Sequence, residues 1–137
     1  MKKGFTLVEL LAIVVILGIL GAIGMSIYSR LQKETRQKLY EEQLITIEKA
    51  VRTYITENEG KTLNINGNSV KIDLFNGEKK IEIPMSTFIS EGVFDKYPVN
   101  PNCSKEMTGI IVIDVKSNGS YDFIYNMSNT EETFCKV

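Results

Sequence analysis

Residues 10–28 carry no charged side chain, and isoleucine, leucine and valine dominate them. At about 1.5 Å of rise per residue the run spans about 28 Å of helix, close to the thickness of a bilayer's hydrocarbon core. No proline interrupts it, and one acid, Glu9, stands just before it. The pattern predicts a membrane-spanning helix. Beyond Ser29 the apolar positions thin into a stripe: Tyr40, Leu44, Ile47, Val51 and Tyr54 recur at spacings of four and three, which marks one face of an amphipathic helix. Gly60 follows as a C-terminal cap. With no proline in residues 5–60, the simplest expectation is one continuous helix about 80 Å long. Its first half lies in the membrane, and its second half is one wall of a globular domain.

After Gly60 the apolar period falls to two. Leu63 and Ile65 precede Gly67-Asn68, and Val70, Ile72 and Leu74 follow. A two-residue turn at Gly67-Asn68 sets Ile65 opposite Val70 and Leu63 opposite Ile72. A second turn at residues 76–79 sets Leu74 opposite Ile81 and Ile72 opposite Ile83, for a three-stranded meander that Pro84 ends. Residues 86–91 read as a short helix stopped by Gly92, and residues 97–102, with Pro98 and Pro101, as a rigid connector. Ile111, Ile113 and Val115, then Tyr121, Phe123 and Tyr125, carry the strongest strand alternation. A three-residue loop, Ser117-Asn118-Gly119, pairs Val115 with Tyr121 and puts Gly119 in the left-handed position. It also sets Asp114 opposite Asp122. Two acids fall short of a calcium site, so a solvated face is the preferred interpretation. The expected fold class is α+β, a long N-terminal helix packed on a small antiparallel sheet.

Length and charge narrow the functional classes. The 137 residues leave room for one compact domain beside the helix. Sixteen basic residues face 17 acidic ones, and the one basic cluster, residues 30–38, sits just past the apolar run. That balance argues against nucleic acid as the main partner. There is no histidine, which excludes histidine-based triads and zinc catalysis through histidine. No phosphate-binding glycine loop appears, and the acids scatter over helix faces and turns. We expect no catalytic residue, no metal site and no cofactor, and hence a protein that is not an enzyme.

The informative residue is Glu9. A carboxylate in hydrocarbon costs on the order of 3 kcal/mol, so such acids are generally paired and functional. Its context, Lys2-Lys3-Gly4 followed by Phe5-Thr6-Leu7-Val8-Glu9, resembles the processing signal of type IV pilins and pseudopilins. The resemblance implies that a prepilin peptidase cuts between Gly4 and Phe5 and that the new Phe5 amine is methylated. It further implies that Glu9 meets the amine of a neighbouring subunit during filament assembly. Glu9 lies four residues past Phe5, so on a helix both share one face. The corresponding division is a leader at 1–4, a membrane or filament-core half of the helix at 5–28, an amphipathic half at 29–60 and a β-rich head at 61–137. The competing interpretations fit less well. A secretory signal peptide has a shorter apolar core and a small-x-small cleavage site, and a plain anchor leaves Glu9 without a role.

Further expectations hang on that resemblance. Partners would be copies of the chain and other pilins, the peptidase, and indirectly an assembly ATPase and an inner-membrane platform. The protein would cross the cytoplasmic membrane once with its head outside, although Lys2 and Lys3 before the span and Arg30, Lys33, Arg36 and Lys38 after it leave ordinary charge rules ambivalent. Gly18, Gly21 and Gly24 recur every third residue and suit a helix-packing face. Gly18 matches a glycine common in pilins, where the helix often loosens in filaments. The proline that many members carry eight residues on is Ser26 here, which weakens that expectation. In an exported head Cys103 and Cys135, the only two cysteines, are expected to form a disulfide worth about 3–4 kcal/mol. Many pilins have a similar C-terminal loop. The function expected is a structural subunit of a type IV pilus-like filament. The alternatives are a pseudopilin of a type II secretion or competence system, only the last of which would engage DNA, and a membrane-anchored binding module that never polymerises.

Overall fold

One helix, α1 (Leu7–Glu57), takes up the first part of the chain, and short strands and two short helices follow it. The structure, a computed structural model, describes residues 3–135. Met1 and Lys2 of the expected leader lie outside the described residues. The chain divides into two compact units, Met1–Arg36 and Gln37–Val137. In the first, the apolar side chains of α1 all point into open surroundings, as in Leu10, Val14, Leu17 and Leu20, which are each more than half exposed. A Cβ added at Gly18, Gly21 or Gly24 would touch nothing.

In the second unit the stripe read from the sequence is the buried face. Ile47, Val51 and Tyr54 enter the core, Ile55 joins them, and Tyr40 and Leu44 pack at its margin. The regular helix stops at Glu57. The Asn58 N–H still closes a helical bond to the Tyr54 carbonyl (3.0 Å), and its side chain donates to the same oxygen (2.8 Å). Two residues on, Gly60 takes the left-handed conformation, φ 82°, expected of a cap.

The β region is α+β in class, but it is not the expected meander. Strands β1 (Thr62–Ile65) and β2 (Asn68–Lys71) form a separate hairpin in which Leu63 faces Val70 and Ile65 faces Asn68. Its turn is Asn66-Gly67, with φ of 51° and 83°, and not Gly67-Asn68. Two successive left-handed residues match the twist of the strands, which is why Asn-Gly makes the tightest hairpins. The correction moves the register by two residues, so side-chain parity survives and Leu63 and Ile65 are still buried.

Strand β3 (Lys79–Pro84) leaves β2 altogether and pairs with β6 (Ile110–Val115), placing Ile81 opposite Ile113 and Ile83 opposite Ile111. A loop built on Asp73 diverts the chain. Its carboxylate accepts from the Asn76 amide (2.8 Å), the Phe75 N–H (3.3 Å) and Lys79 Nζ (3.0 Å), and these, with the Asn76 amide foremost, hold its pKa well below the usual carboxylate range. The sheet order is β3-β6-β7, with β7 at Tyr121–Asn126. Strand β6 takes the centre because it is apolar on both faces; Val112 is buried on the side opposite Ile111 and Ile113. The β6–β7 register is the one that Ser117-Asn118-Gly119 predicts, with Val115 opposite Tyr121 and Asp114 opposite Asp122. Lys116 answers the acid pair, its Nζ lying 2.6 Å from Asp114 and 3.4 Å from Asp122.

Helix α2 (Met85–Ser90) follows β3 directly and buries Phe88, which meets Tyr54 edge-on at 5.8 Å. Tyr54 and Lys61 both bond the Glu91 carboxylate, at 2.9 and 2.5 Å, and tie the end of α1 to the end of α2. The connector contains a small ribbon, β4 (Val99–Asn100) with β5 (Lys105–Glu106). The last segment of the β-rich head is a helix, α3 (Asn129–Cys135). Ser128 starts it. The Glu131 N–H donates to Ser128 Oγ (3.4 Å), while the Ser128 N–H donates to Glu131 Oε2 (3.0 Å), a reciprocal cap. The fully buried Glu131 carboxyl also accepts the Tyr125 hydroxyl at 2.7 Å.

Cys103 and Cys135 are joined by a disulfide with Cα atoms 5.0 Å apart. It links the loop after β4 to the final residue of α3. Alkylation of the unreduced protein is expected to modify neither cysteine; two free thiols in protein taken from the cell surface would remove this staple.

Candidate functional site

The residues singled out as a processing and assembly site lie at the start of the chain. Gly4 and Phe5 belong to a non-helical lead-in, residues 3–6, and Phe5 is 83% exposed. The helix begins at Leu7. Thr6 is its N-cap: its carbonyl accepts the Leu10 N–H at 3.1 Å, the first turn-closing bond, and its hydroxyl accepts the Glu9 N–H at 3.3 Å. In return Glu9 Oε2 accepts the Thr6 N–H at 2.8 Å. Thr6-Leu7-Val8-Glu9 is therefore a capping box.

One expectation changes. Phe5 and Glu9 do not share a helix face, because Phe5 precedes the helix; Thr6, whose hydroxyl competes for the free N–H groups of the first turn, sets the start two residues later. Within the chain the Thr6 N–H gives the Glu9 carboxylate a partner. The acid also sits well at a helix N-terminus, where the aligned peptide dipoles favour negative charge. Thr6 is the residue that pattern reading missed. The signal was present as a threonine three residues before a glutamate at the head of an apolar run, the sequence form of this cap.

Among the described residues α1 is the one helix long and apolar enough to cross a membrane, and no group of three or more potential metal-ligating side chains gathers. The basic residues past the apolar run are exposed on α1, and Arg30 bonds Glu34 one turn on at 3.1 Å. Asp114 and Asp122, the pair weighed as a cation site, are bridged by Lys116.

The capping box lies inside a recognisable signature. Residues 1–25 match the family described as the prokaryotic N-terminal methylation motif. This is the signature of type IV pilins and pseudopilins. Comparison with curated proteins and with solved structures returns no match. The match covers the first 25 of the 137 residues and supports a type IV pilin-like or pseudopilin protein, a structural class whose motif is the one prepilin peptidase processes. A pilin-like architecture agrees with it, a long N-terminal helix followed by a small antiparallel β domain. Motif and apolar helix together fit membrane anchoring and a surface filament.

Proposed function

We propose that this chain is a structural subunit of a type IV pilus-like filament, stored in the cytoplasmic membrane and assembled through α1. The observation that carries the proposal is the methylation motif at the head of α1, whose exposed apolar segment, up to residue 28, holds a single acid, Glu9. A peptidase removes residues 1–4 by cutting between Gly4 and Phe5, and the freed Phe5 amine is methylated. The apolar half of α1 spans the bilayer once, with the head outside, and then exchanges lipid for neighbouring helices in the filament. Gly18, Gly21 and Gly24, which leave the backbone open on α1, suit close helix approach there. An assembly ATPase and a membrane platform drive the transfer. An exported head also suits the disulfide between Cys103 and Cys135.

N-terminal mass spectrometry of the protein extracted from membranes tests the first step. The expected mature chain begins at Phe5 and carries a methyl group on its amine. A mature start at Met1, or one beyond residue 20, is the result that removes the proposal. Electron microscopy of surface filaments, with and without the chain, tests the second.

A further inference from the structure

We infer that Thr6 sets the register of leader removal: its hydroxyl starts α1 at Leu7 and so keeps the Gly4–Phe5 peptide bond out of the helix. This rests on the proposed cut between those two residues. Hydrolysis there breaks the bond from the Gly4 carbonyl carbon to the Phe5 nitrogen, with water supplying the hydroxyl of the new Gly4 acid and a proton to the new Phe5 amine. A peptidase needs that bond accessible and free of helical hydrogen bonds. In the structure it is, because residues 3–6 are exposed and non-helical and the first carbonyl engaged by the helix belongs to Thr6.

A rival start exists two residues earlier. Glycine ranks close to threonine as an N-cap, so a helix capped at Gly4 would place Phe5 and Thr6 in its first turn. The Gly4 carbonyl would then accept the Val8 N–H, and the bond to be cut would lie within the hydrogen-bonded turn. Apolar surroundings favour such an extension, because they offer no water to free amides. What opposes it is the reciprocal cap. Thr6 Oγ accepts the Glu9 N–H, and the Glu9 carboxylate accepts the Thr6 N–H. The earlier start has no equivalent, since its third helical position is Leu7, which cannot return a bond. Thr6 thus acts as a positioning residue for a reaction whose atoms it does not touch.

The test is the cleavage rate of the full-length precursor in membranes containing its peptidase, followed by pulse-chase with equal membrane abundance confirmed for each variant. Thr6→Val keeps the shape and loses the hydroxyl. An N-cap is worth a few-fold in the balance of helix starts, so Thr6→Val should slow cleavage by up to about three- to fivefold. Thr6→Asn differs in shape but caps as well as threonine, and it should restore the wild-type rate. Unchanged cleavage of Thr6→Val overturns the inference. So does slow cleavage of both variants, which would mean that the peptidase reads the threonine side chain directly. A wild-type precursor that is never cut in these membranes instead removes the processing proposal on which the inference stands.

Discussion

Gly109→Ala is expected to destabilise the head unit by about 3 kcal/mol or more, lowering its thermal midpoint by roughly 10–20 °C. A Cβ at this position would overlap the Asn126 carbonyl oxygen and lie 2.8 Å from the Tyr125 hydroxyl. Neither neighbour gives way cheaply. Asn126 is backbone in an edge strand paired with Ile110, and Gly109 is itself held by the Met85 N–H bonded to its carbonyl at 3.0 Å. Relief therefore has to separate the start of β6 from the end of β7. That would break the bond from the Gly109 N–H to the Tyr125 oxygen (3.0 Å) and disturb the Tyr125–Glu131 contact that seats α3. Burial, reinforced by that carboxyl, pushes the Tyr125 phenol well above its usual pKa, so the hydroxyl remains a donor throughout the ordinary pH range. Overpacking alone costs about 1–3 kcal/mol, and each buried hydrogen bond lost adds about 1 kcal/mol. Circular dichroism melting of the full chain in detergent measures the effect. Gly21→Ala, whose added methyl meets nothing, should leave the head transition unchanged. A Gly109→Ala midpoint within a few degrees of wild type would show that the strands do not approach this closely.

Much of this fold was legible because single periodicities decided it. The four-and-three stripe from Tyr40 to Tyr54 identified the buried face of α1, and alternation in β6 and β7 fixed their register through one glycine at position 119. Errors arose where two local signals competed. Gly67-Asn68 and Asn66-Gly67 overlap in the same tripeptide, and only backbone handedness decides between them; asparagine followed by glycine accepts two left-handed residues in succession. The partner of β3 was not local information at all. It follows from the long-range pairing of β6, whose burial on both faces suits a central strand, and from the Asp73 loop that turns the chain away from β2. Both reciprocal caps, Thr6 with Glu9 and Ser128 with Glu131, were readable but unread. Each is a hydroxyl residue three positions before a glutamate. At the candidate site that omission mattered most, because a capped helix start changes what Glu9 does before assembly.

Glu9→Val is expected to leave membrane insertion intact and to slow leader cleavage no more than Thr6→Val does, while reducing entry of the mature chain into filaments at least tenfold. In the single chain the Glu9 carboxylate is not bare, since it accepts the Thr6 N–H at 2.8 Å. Valine loses that half of the cap, but its own N–H can still bond the Thr6 hydroxyl, as the Glu9 N–H does at 3.3 Å. The helix start is weakened by one of its two cap bonds but keeps the other, so cleavage should slow and not stop. In the proposed filament each mature chain brings a cationic Phe5 amine, and a carboxylate bonds a cation roughly twice as strongly as it bonds a neutral amide. Assembly then exchanges a sufficient partner within the chain for a stronger one on a neighbour. Desolvation offsets much of the Coulomb gain, so the net stabilisation is modest and the main consequence is axial register. A subunit out of step leaves an amine unpaired in an apolar core, at a cost of about 3–5 kcal/mol, and a valine subunit leaves one unpaired in every register. Glu9→Asp, one methylene shorter, should fall between valine and wild type. Coexpression with the wild-type chain gives the measurement: the ratio of variant to wild type in sheared filaments is compared with the ratio in membranes. Equal ratios for Glu9→Val would rule out the charge pair as the determinant of assembly, and would leave Glu9 with the role visible within the single chain, as one half of the cap that starts α1.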